Sequence, residues 1–205
     1  MYPNRLTRQE SREQTRKRLL DAAAAVIASK GLAATTVEDI VKRASYTRGA
    51  FYSNFKSKLE LFDELLRADH ARIKNGLRQL LDSSLCKEDL DHAIASPDDQ
   101  RHPGHQNSML WVEARHHAMR DTTFRQQLNA LILELIDLTA GFIDESRERI
   151  NIEPSISTRN LAFMTIALID GSLYFDINMP NEKAGSALRA QLNMLFTAAF
   201  SGKRI

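Results

Sequence analysis

The sequence has few of the features that mark secreted or membrane proteins: Cys86 is its single cysteine among 205 residues. One cysteine can form no disulfide within the chain, which excludes a disulfide-stabilised scaffold and favours a reducing compartment. No run of about 18 apolar residues is present, so no transmembrane helix is predicted. No apolar stretch precedes Leu19, so no secretory signal is predicted either. We therefore expect a soluble protein of the cytoplasm.

Signals for β-structure are also scarce. Strand-like alternation is nearly absent, and no two-residue hairpin turn separates β-rich segments. Apolar residues recur instead at helical spacing, which predicts an all-α fold. The predicted helices are Ser11–Lys30, Val37–Ala44, Thr47–Asn54, Lys58–Leu81, Asn107–Met119, Thr122–Arg149, Ser157–Asp176 and Lys183–Ser201, and a ninth over Asp89–Ala95 is left open. Gly31 is the predicted stop of the first helix, and Thr35-x-x-Glu38 and Thr36-x-x-Asp39 compete as the capping box of the second.

Charge is distributed unevenly along the chain. Residues 1–58 contain 12 Lys or Arg against 5 Asp or Glu, a net charge of +7, whereas residues 59–205 contain 16 against 21, a net charge of −5. A basic N-terminal part favours a polyanionic partner, although charge alone leaves an arbitrary surface bias open. Either a DNA-backbone contact or a solvated charge would explain the basic residues of the first segment, which are Arg5, Arg8, Arg12, Arg16, Lys17 and Arg18.

Residues 35–58, TTVEDIVKRASYTRGAFYSNFKSK, have the pattern of a helix-turn-helix motif: two short helices joined by a tight turn inside a basic segment. The start of the second helix can then face base edges in the major groove, where Arg48 can bond guanine bidentately. Gly49 and Ala50 are small enough for a close approach of the backbone. Phosphate contacts are expected on either side. The predicted DNA-binding residues are Thr36, Thr47, Arg48, Gly49, Ala50, Tyr52, Ser53, Asn54, Lys56 and Lys58.

Over about residues 11–66 the sequence resembles the tetracycline-repressor-like (TetR/AcrR) family of transcriptional regulators. The matching residues are Ile27, Gly31, Thr35-Thr36, Ile40, Ala44, Arg48-Gly49-Ala50-Phe51-Tyr52 and Phe55-Lys56-Ser57-Lys58-x-x-Leu61. Three positions depart from the family pattern. Ser45 replaces the usual turn glycine, which predicts strain if φ is positive there. Tyr46 stands where a small aliphatic residue is usual, and Asn54 replaces the usual His or Tyr.

The resemblance implies a DNA-binding domain over residues 1–57 and an effector-binding and dimerisation domain over residues 58–205. It also implies a repressor that binds a palindromic operator as a homodimer, with the last two helices of each subunit forming a four-helix bundle. An intramolecular bundle remains the alternative. In the family, a small molecule binds between the fourth helix and the helices that follow it, and shifts the spacing of the recognition helices. A protein partner in place of a small molecule is also left open.

Candidate pocket residues follow from that implied position of the ligand. They are Phe62, Leu66, His70, Met109, Trp111, Arg115, His116, Met119, Phe142, Phe163, Asp170 and Tyr174. For each of them, ordinary core packing is the alternative. Polar residues would be the better markers of a ligand site, and His70, Arg115, His116 and Asp170 are the polar candidates.

The rival class is a helical enzyme or metal carrier. Glu113-x-x-His116 resembles half of a di-iron carboxylate site, but such a site needs a second Glu-x-x-His motif and two further glutamates. The nearest substitute is Asp89-x-x-His92, in a weakly helical region, and His102-x-x-His105 lies on a Pro-Gly loop. Neither a phosphate-binding glycine loop nor a G-x-S-x-G motif is present. We therefore predict no metal site, no cofactor and no catalysis.

Overall fold

The computed structural model describes residues 7–82, 104–150, 157–179, 181 and 187–188. Seven helices lie within these residues, which contain no strand, and the predicted all-α class is confirmed. The helices are α1 (Arg8–Lys30), α2 (Val37–Ala44), α3 (Arg48–Tyr52), α4 (Lys58–Asp82), α5 (Gly104–Ala118), α6 (Thr122–Ile150) and α7 (Thr158–Asn178). The predicted segments Asp89–Ala95 and Lys183–Ser201 lie outside the described residues, apart from residues 187 and 188 of the second.

The chain divides into two compact units whose boundaries do not follow chain order. Among the described residues, the first unit contains 7–69 and 104–128, and the second contains 70–82, 129–150 and 157–179. The first unit therefore includes α5, which lies far beyond the predicted helix-turn-helix segment in the sequence. The domain boundary after residue 57 stays a prediction.

In the first unit, α1 packs against both α2 and α5. Its buried face carries Leu19, Ala23 and Ile27 at helical spacing, each fully buried. Aromatic residues from the neighbouring segments complete this core: the rings of Phe51 and Phe55 lie 5.7 Å apart. The largest fully buried side chains of the unit are Phe51, Phe55, Phe62, Leu19, Ile27, Ile40, Leu61, Leu66 and Leu110.

Helix α1 begins three residues earlier than predicted because of a capping box that the apolar pattern did not show. The hydroxyl of Thr7 accepts a hydrogen bond from the Glu10 N–H, and the Glu10 carboxylate accepts one from the Thr7 N–H. These bonds lower the pKa of Glu10. At the other end, Gly31 has φ +83°, and its N–H donates to Ile27 O, so the predicted stop is confirmed.

The other helix bounds need small corrections. Thr36 and Asp39 form the capping box of α2, whereas the Thr35 hydroxyl donates to Gly31 O at 2.7 Å. Helix α3 is shorter than predicted because Thr47 is its N-cap and Ser53 its C-cap. Helix α5 begins at Gly104, three residues before the predicted start. Helix α7 begins at Thr158 and continues two residues past the predicted end.

The core of the second unit lies between α6 and α7. Among the described residues it includes Ile136, Phe142, Ile143, Leu161 and Ala162. Polar bonds at the surface join the same two helices: Arg159 pairs with Asp137, and the Thr158 hydroxyl donates to Asp144 at 3.2 Å. Within the described residues, no helix is both long and apolar enough to cross a membrane.

Candidate nucleic-acid interface

The turn between α2 and α3 has the backbone that this motif requires. Ser45 adopts φ 58°, ψ 41°, in the left-handed region that favours glycine, so the condition for the predicted strain is met. Its N–H donates to Lys42 O, and the N–H of Tyr46 donates to Val41 O at 2.9 Å. The Tyr46 hydroxyl lies 3.5 Å from the hydroxyl of Thr15 on α1. The larger residue at position 46 is therefore accommodated against α1.

Helix α3 buries one side and exposes the other. Phe51 is fully buried, whereas Thr47, Arg48, Gly49, Tyr52 and Ser53 are exposed. The Thr47 hydroxyl accepts a hydrogen bond from the Ala50 N–H at 3.2 Å, which fixes the start of the helix. The motif thus offers a short helix with five exposed predicted DNA contacts, which is the arrangement needed to enter a major groove.

Arg48 is oriented by two neighbours although its side chain is 63% exposed. Its guanidinium lies 2.9 Å from the Glu38 carboxylate and 5.9 Å from the centre of the Tyr52 ring. A hydrogen bond with Tyr52 and the charge of Glu38 raise the pKa of Arg48. These contacts limit the rotamers of the arginine, so the predicted contact with a base would cost less side-chain entropy.

The backbone N–H and the hydroxyl of Thr36 form hydrogen bonds within the first turn of α2. Its N–H donates to the Asp39 carboxylate at 2.8 Å, and its hydroxyl is bonded to the same side chain. Lys30 also pairs with Asp39, and this hydrogen bond, together with those from Thr36, holds the pKa of Asp39 well below its usual range. A phosphate contact by Thr36 would therefore compete with Asp39.

The residues after α3 differ in their exposure and in their hydrogen-bond partners. Lys56 is exposed. The side-chain amide of Asn54 donates back to Ala50 O at 2.8 Å. The Lys58 ammonium is directed inward and donates to Leu32 O and Thr35 O, each at 2.6 Å. Burial, and secondarily the charge of Lys30, lowers the pKa of Lys58. These bonds favour a structural role for Lys58 over the predicted phosphate contact.

Arg16 is one of the basic residues for which the sequence left both a DNA-backbone contact and a solvated charge open. Its guanidinium forms two parallel bonds with the Glu64 carboxylate, one of them Nε to Oε1 at 2.9 Å. Its Nη1 donates to Asn54 O at 2.6 Å, and the group lies 4.3 Å from the centre of the Phe55 ring. Arg8, Arg12, Lys17 and Arg18 are exposed. Of these five, only Arg16 joins α1 to the residues that follow α3.

The candidate pocket residues are divided between the two units. In the first unit, Phe62, Leu66 and Trp111 are buried, and Met109 and Arg115 are partly buried. In the second unit, Phe142 and His70 are buried and Asp170 is partly buried. Four candidates are exposed at the surface of the chain, which does not favour a role in lining a closed pocket: His116, Met119, Phe163 and Tyr174.

Two buried polar side chains on α4 stand out, one in each unit. The Asp69 carboxylate accepts hydrogen bonds from Asn107 at 2.6 Å and from the Trp111 ring at 2.8 Å. This pairing was not predicted from the sequence. The side chain of His70 is 7% exposed, and its Nε2 lies 3.4 Å from Glu134. No hydrogen bond from another described residue satisfies that nitrogen. Lys74 bonds Glu134 at 2.6 Å and lowers the pKa of that carboxylate.

The two residues of the Glu113-x-x-His116 motif have different partners in the structure. Glu113 accepts a hydrogen bond from the Leu32 N–H at 2.7 Å, whereas His116 is exposed and bonds Arg120. Within the described part of the chain, no three His, Cys, Asp or Glu side chains lie close enough to hold a metal ion. Asp89, His92, His102 and Cys86 lie outside the described residues.

Comparison with known proteins decides the family. The model of the bacterial regulatory proteins, tetR family, matches residues 19–65, from α1 into α4. The HTH-type transcriptional repressor KstR2 of Rhodococcus jostii is 31% identical over 144 residues, which cover 67% of this chain and 71% of that protein. The chain belongs to the TetR family. The resemblance of residues 11–66 is therefore confirmed.

Other transcriptional regulators are similar over shorter segments or by fold alone. The HTH-type transcriptional regulator AcrR of Shigella flexneri is 39% identical over 69 residues, 34% of this chain and 32% of that protein. This match thus spans about a third of the length of that curated relative. The transcriptional regulator FadR of Bacillus subtilis, solved in complex with stearoyl-CoA, superposes with a TM-score of 0.71 at 20% identity, over 92% of this chain and 99% of that chain. At that identity the superposition shows the fold.

Proposed function

We propose that this TetR-family chain is a sequence-specific DNA-binding transcriptional regulator, specifically a ligand-responsive repressor that binds a palindromic operator as a homodimer. The observation that carries the proposal is the exposed side of α3, which lies inside the residues that match the family model. The net charge of +7 over residues 1–58 supports attraction to a phosphate backbone. We place the protein in the cytoplasm and assign it no catalytic activity.

The first test is selection of bound fragments from random DNA, followed by measurement of Arg48→Ala on the selected operator. Loss of the arginine is expected to cost about 1–3 kcal/mol on that operator and to relax the sequence preference, because a bidentate contact to guanine is lost. Arg67→Ala is the matched control, since Arg67 is an exposed arginine of α4 paired with Asp63. Equal binding of the wild type to random and selected DNA would contradict sequence-specific recognition.

The proposed effector is a small molecule with an apolar body and one polar group, bound by the C-terminal part of the chain. Two observations support it. FadR of Bacillus subtilis, which has this fold, was solved with stearoyl-CoA. His70 offers a buried nitrogen that forms no hydrogen bond with a described residue, although the Glu134 carboxylate lies 3.4 Å away. Buried polar atoms normally form hydrogen bonds.

We expect the effector to weaken operator binding about tenfold, a coupling of about 1.4 kcal/mol, and the operator to weaken effector binding by the same factor. A panel of amphipathic molecules that includes stearoyl-CoA, titrated with and without operator, measures both directions. His70→Phe is expected to reduce effector binding without changing operator affinity, and Leu133→Ala, at an exposed site of the same unit, is the control. A molecule that binds but leaves operator affinity unchanged is no effector, and a panel with no response would favour a protein partner.

A further inference from the structure

Leu32, the second residue after α1, has both of its backbone polar groups bonded to charged side chains. Its N–H donates to Glu113 Oε2 on α5 at 2.7 Å. Its carbonyl accepts from Lys58 Nζ, at the start of α4, at 2.6 Å, and the same ammonium bonds Thr35 O at 2.6 Å. Leu32 and Thr35 are both buried. We call Glu113, Lys58 and the Leu32 backbone the Leu32 clamp.

The surrounding backbone is fitted closely to the clamp. Gly31 has φ +83°, and a Cβ at that position would lie 3.3 Å from both carboxylate oxygens of Glu113. The Thr35 hydroxyl donates to Gly31 O at 2.7 Å and closes the loop on itself. Thr36, the next residue, is the N-cap of α2. The clamp therefore bonds the loop that leads into α2, and α2 packs against α3.

Both charged groups of the clamp bond backbone atoms directly, with good geometry. Hydrogen bonds with one ionised partner are shorter and stronger than neutral ones, and they strengthen further where water is excluded. All of these residues belong to the first compact unit, so the argument rests on one unit alone. Helix α5 packs along α1, and Glu113 is its bond to the loop that follows α1.

We propose that Glu113 is a positioning residue for operator binding: through the Leu32 clamp it fixes the loop of residues 31–36, and so the placement of α2 and α3. The proposal rests on the DNA-binding function proposed above. Any displacement of α5 would move the carboxylate that bonds Leu32, so the clamp also gives this helix a direct effect on the helix-turn-helix.

The test compares Glu113→Ala, Glu113→Gln and the wild type on the selected operator. Glu113→Ala is expected to weaken binding about tenfold, although it removes a negative charge from a unit that approaches a polyanion. Simple electrostatics predicts the opposite sign. Glu113→Gln keeps an acceptor oxygen and is expected to remain within about threefold of the wild type. Glu13→Ala, at an exposed acid of α1, is the matched control and is expected to leave affinity equal or slightly higher.

Amide hydrogen exchange at Leu32 gives a readout that does not depend on DNA. Exchange is expected to accelerate in Glu113→Ala and to stay near the wild-type rate in Glu113→Gln. If the wild type binds no DNA sequence specifically, the proposed function fails, whereas the exchange rates still decide whether the clamp exists. Unchanged Leu32 protection in Glu113→Ala, or operator binding as tight as in the wild type, would overturn the proposal.

Lys58→Met tests the bonds that the clamp makes to the Leu32 and Thr35 carbonyls. It replaces Glu113→Ala as the test if that variant does not fold. It is expected to weaken operator binding while leaving the slope of log K against log salt concentration unchanged. A lysine that contacts a phosphate would lower that slope by about 1 when removed. A slope change of that size in Lys58→Met would overturn the clamp in favour of a direct phosphate contact.

Discussion

Replacement of Phe163 by glutamate is expected to convert a dimer into monomers and to weaken operator binding by about 10²- to 10⁴-fold. This factor is the avidity that is lost when the two half-sites are no longer bound by two linked DNA-binding domains. Helix α7 buries Leu161 and Ala162 in the core of its own unit. It nevertheless exposes Phe163 by 46% and Tyr174 by 60%. With the exposed Ala167, these residues recur at i, i+4 and i+11 and so share one side of the helix.

A helix that is apolar on two sides requires cover on both. We propose that the second cover of α7 is the same helix of another subunit, together with the segment predicted as Lys183–Ser201. This assigns Phe163 and Tyr174 to a subunit interface, where the sequence had placed them in a pocket. A glutamate in such an interface would be desolvated without a partner.

Sedimentation equilibrium at micromolar concentration and operator titration measure the two effects together. Leu133→Glu is the matched control, because Leu133 is an exposed leucine of α6 in the same unit and the change adds the same charge. A wild type that sediments as a monomer would contradict the interface, as would a dimeric Phe163→Glu. Two-fold symmetry further predicts half-sites about one helical turn, or a multiple of it, apart.

Local signals in the sequence were sufficient for most of the fold. Helix α2 has its predicted bounds because a threonine cap and an apolar i, i+3, i+4, i+7 stripe both lie within nine residues. Gly31 ends α1 because a positive φ favours glycine. The identity of this one residue is therefore enough to predict the end of the helix. The start of α1 was missed for the converse reason. Thr7 and Glu10 lie in a polar segment, where apolar periodicity marks no beginning.

The partners of charged side chains could not be predicted in the same way. Glu64 lies 48 residues from Arg16, and Leu32 lies 81 residues from Glu113. In the second case the partner is a backbone N–H, which every residue except proline carries, so no residue type points to it. Glu113 was therefore paired with His116, its neighbour along the helix. A signal for Arg16 did exist, since it lies three residues before Leu19 and seven before Ala23, on the buried stripe of α1.

Arg16→Met is expected to weaken operator binding about tenfold. The slope of log K against log salt concentration should stay unchanged, because Arg16 bonds the residues that follow α3 instead of contacting DNA. Methionine keeps the unbranched stem over Phe55 but loses every bond to Glu64 and to Asn54 O. The bonds are partly exposed, with about a third of each charged side chain accessible, so we expect a loss of about 1–3 kcal/mol in the free energy of unfolding. A lysine at this position lacks the planar guanidinium group, so it cannot form the bonds to both the Glu64 carboxylate and Asn54 O.

Glu64→Gln separates positioning from simple charge effects. It removes a negative charge from the DNA-binding unit, so electrostatics alone predicts tighter binding. If Glu64 orients Arg16, the variant should bind the operator more weakly, and a double-mutant cycle with Arg16→Met should show a coupling energy above about 0.5 kcal/mol. Arg12→Met, at an exposed arginine one turn earlier in α1, is the control for loss of one positive charge. A fall of about 1 in the salt slope of Arg16→Met, with additive effects in the cycle, would assign Arg16 to the DNA backbone after all.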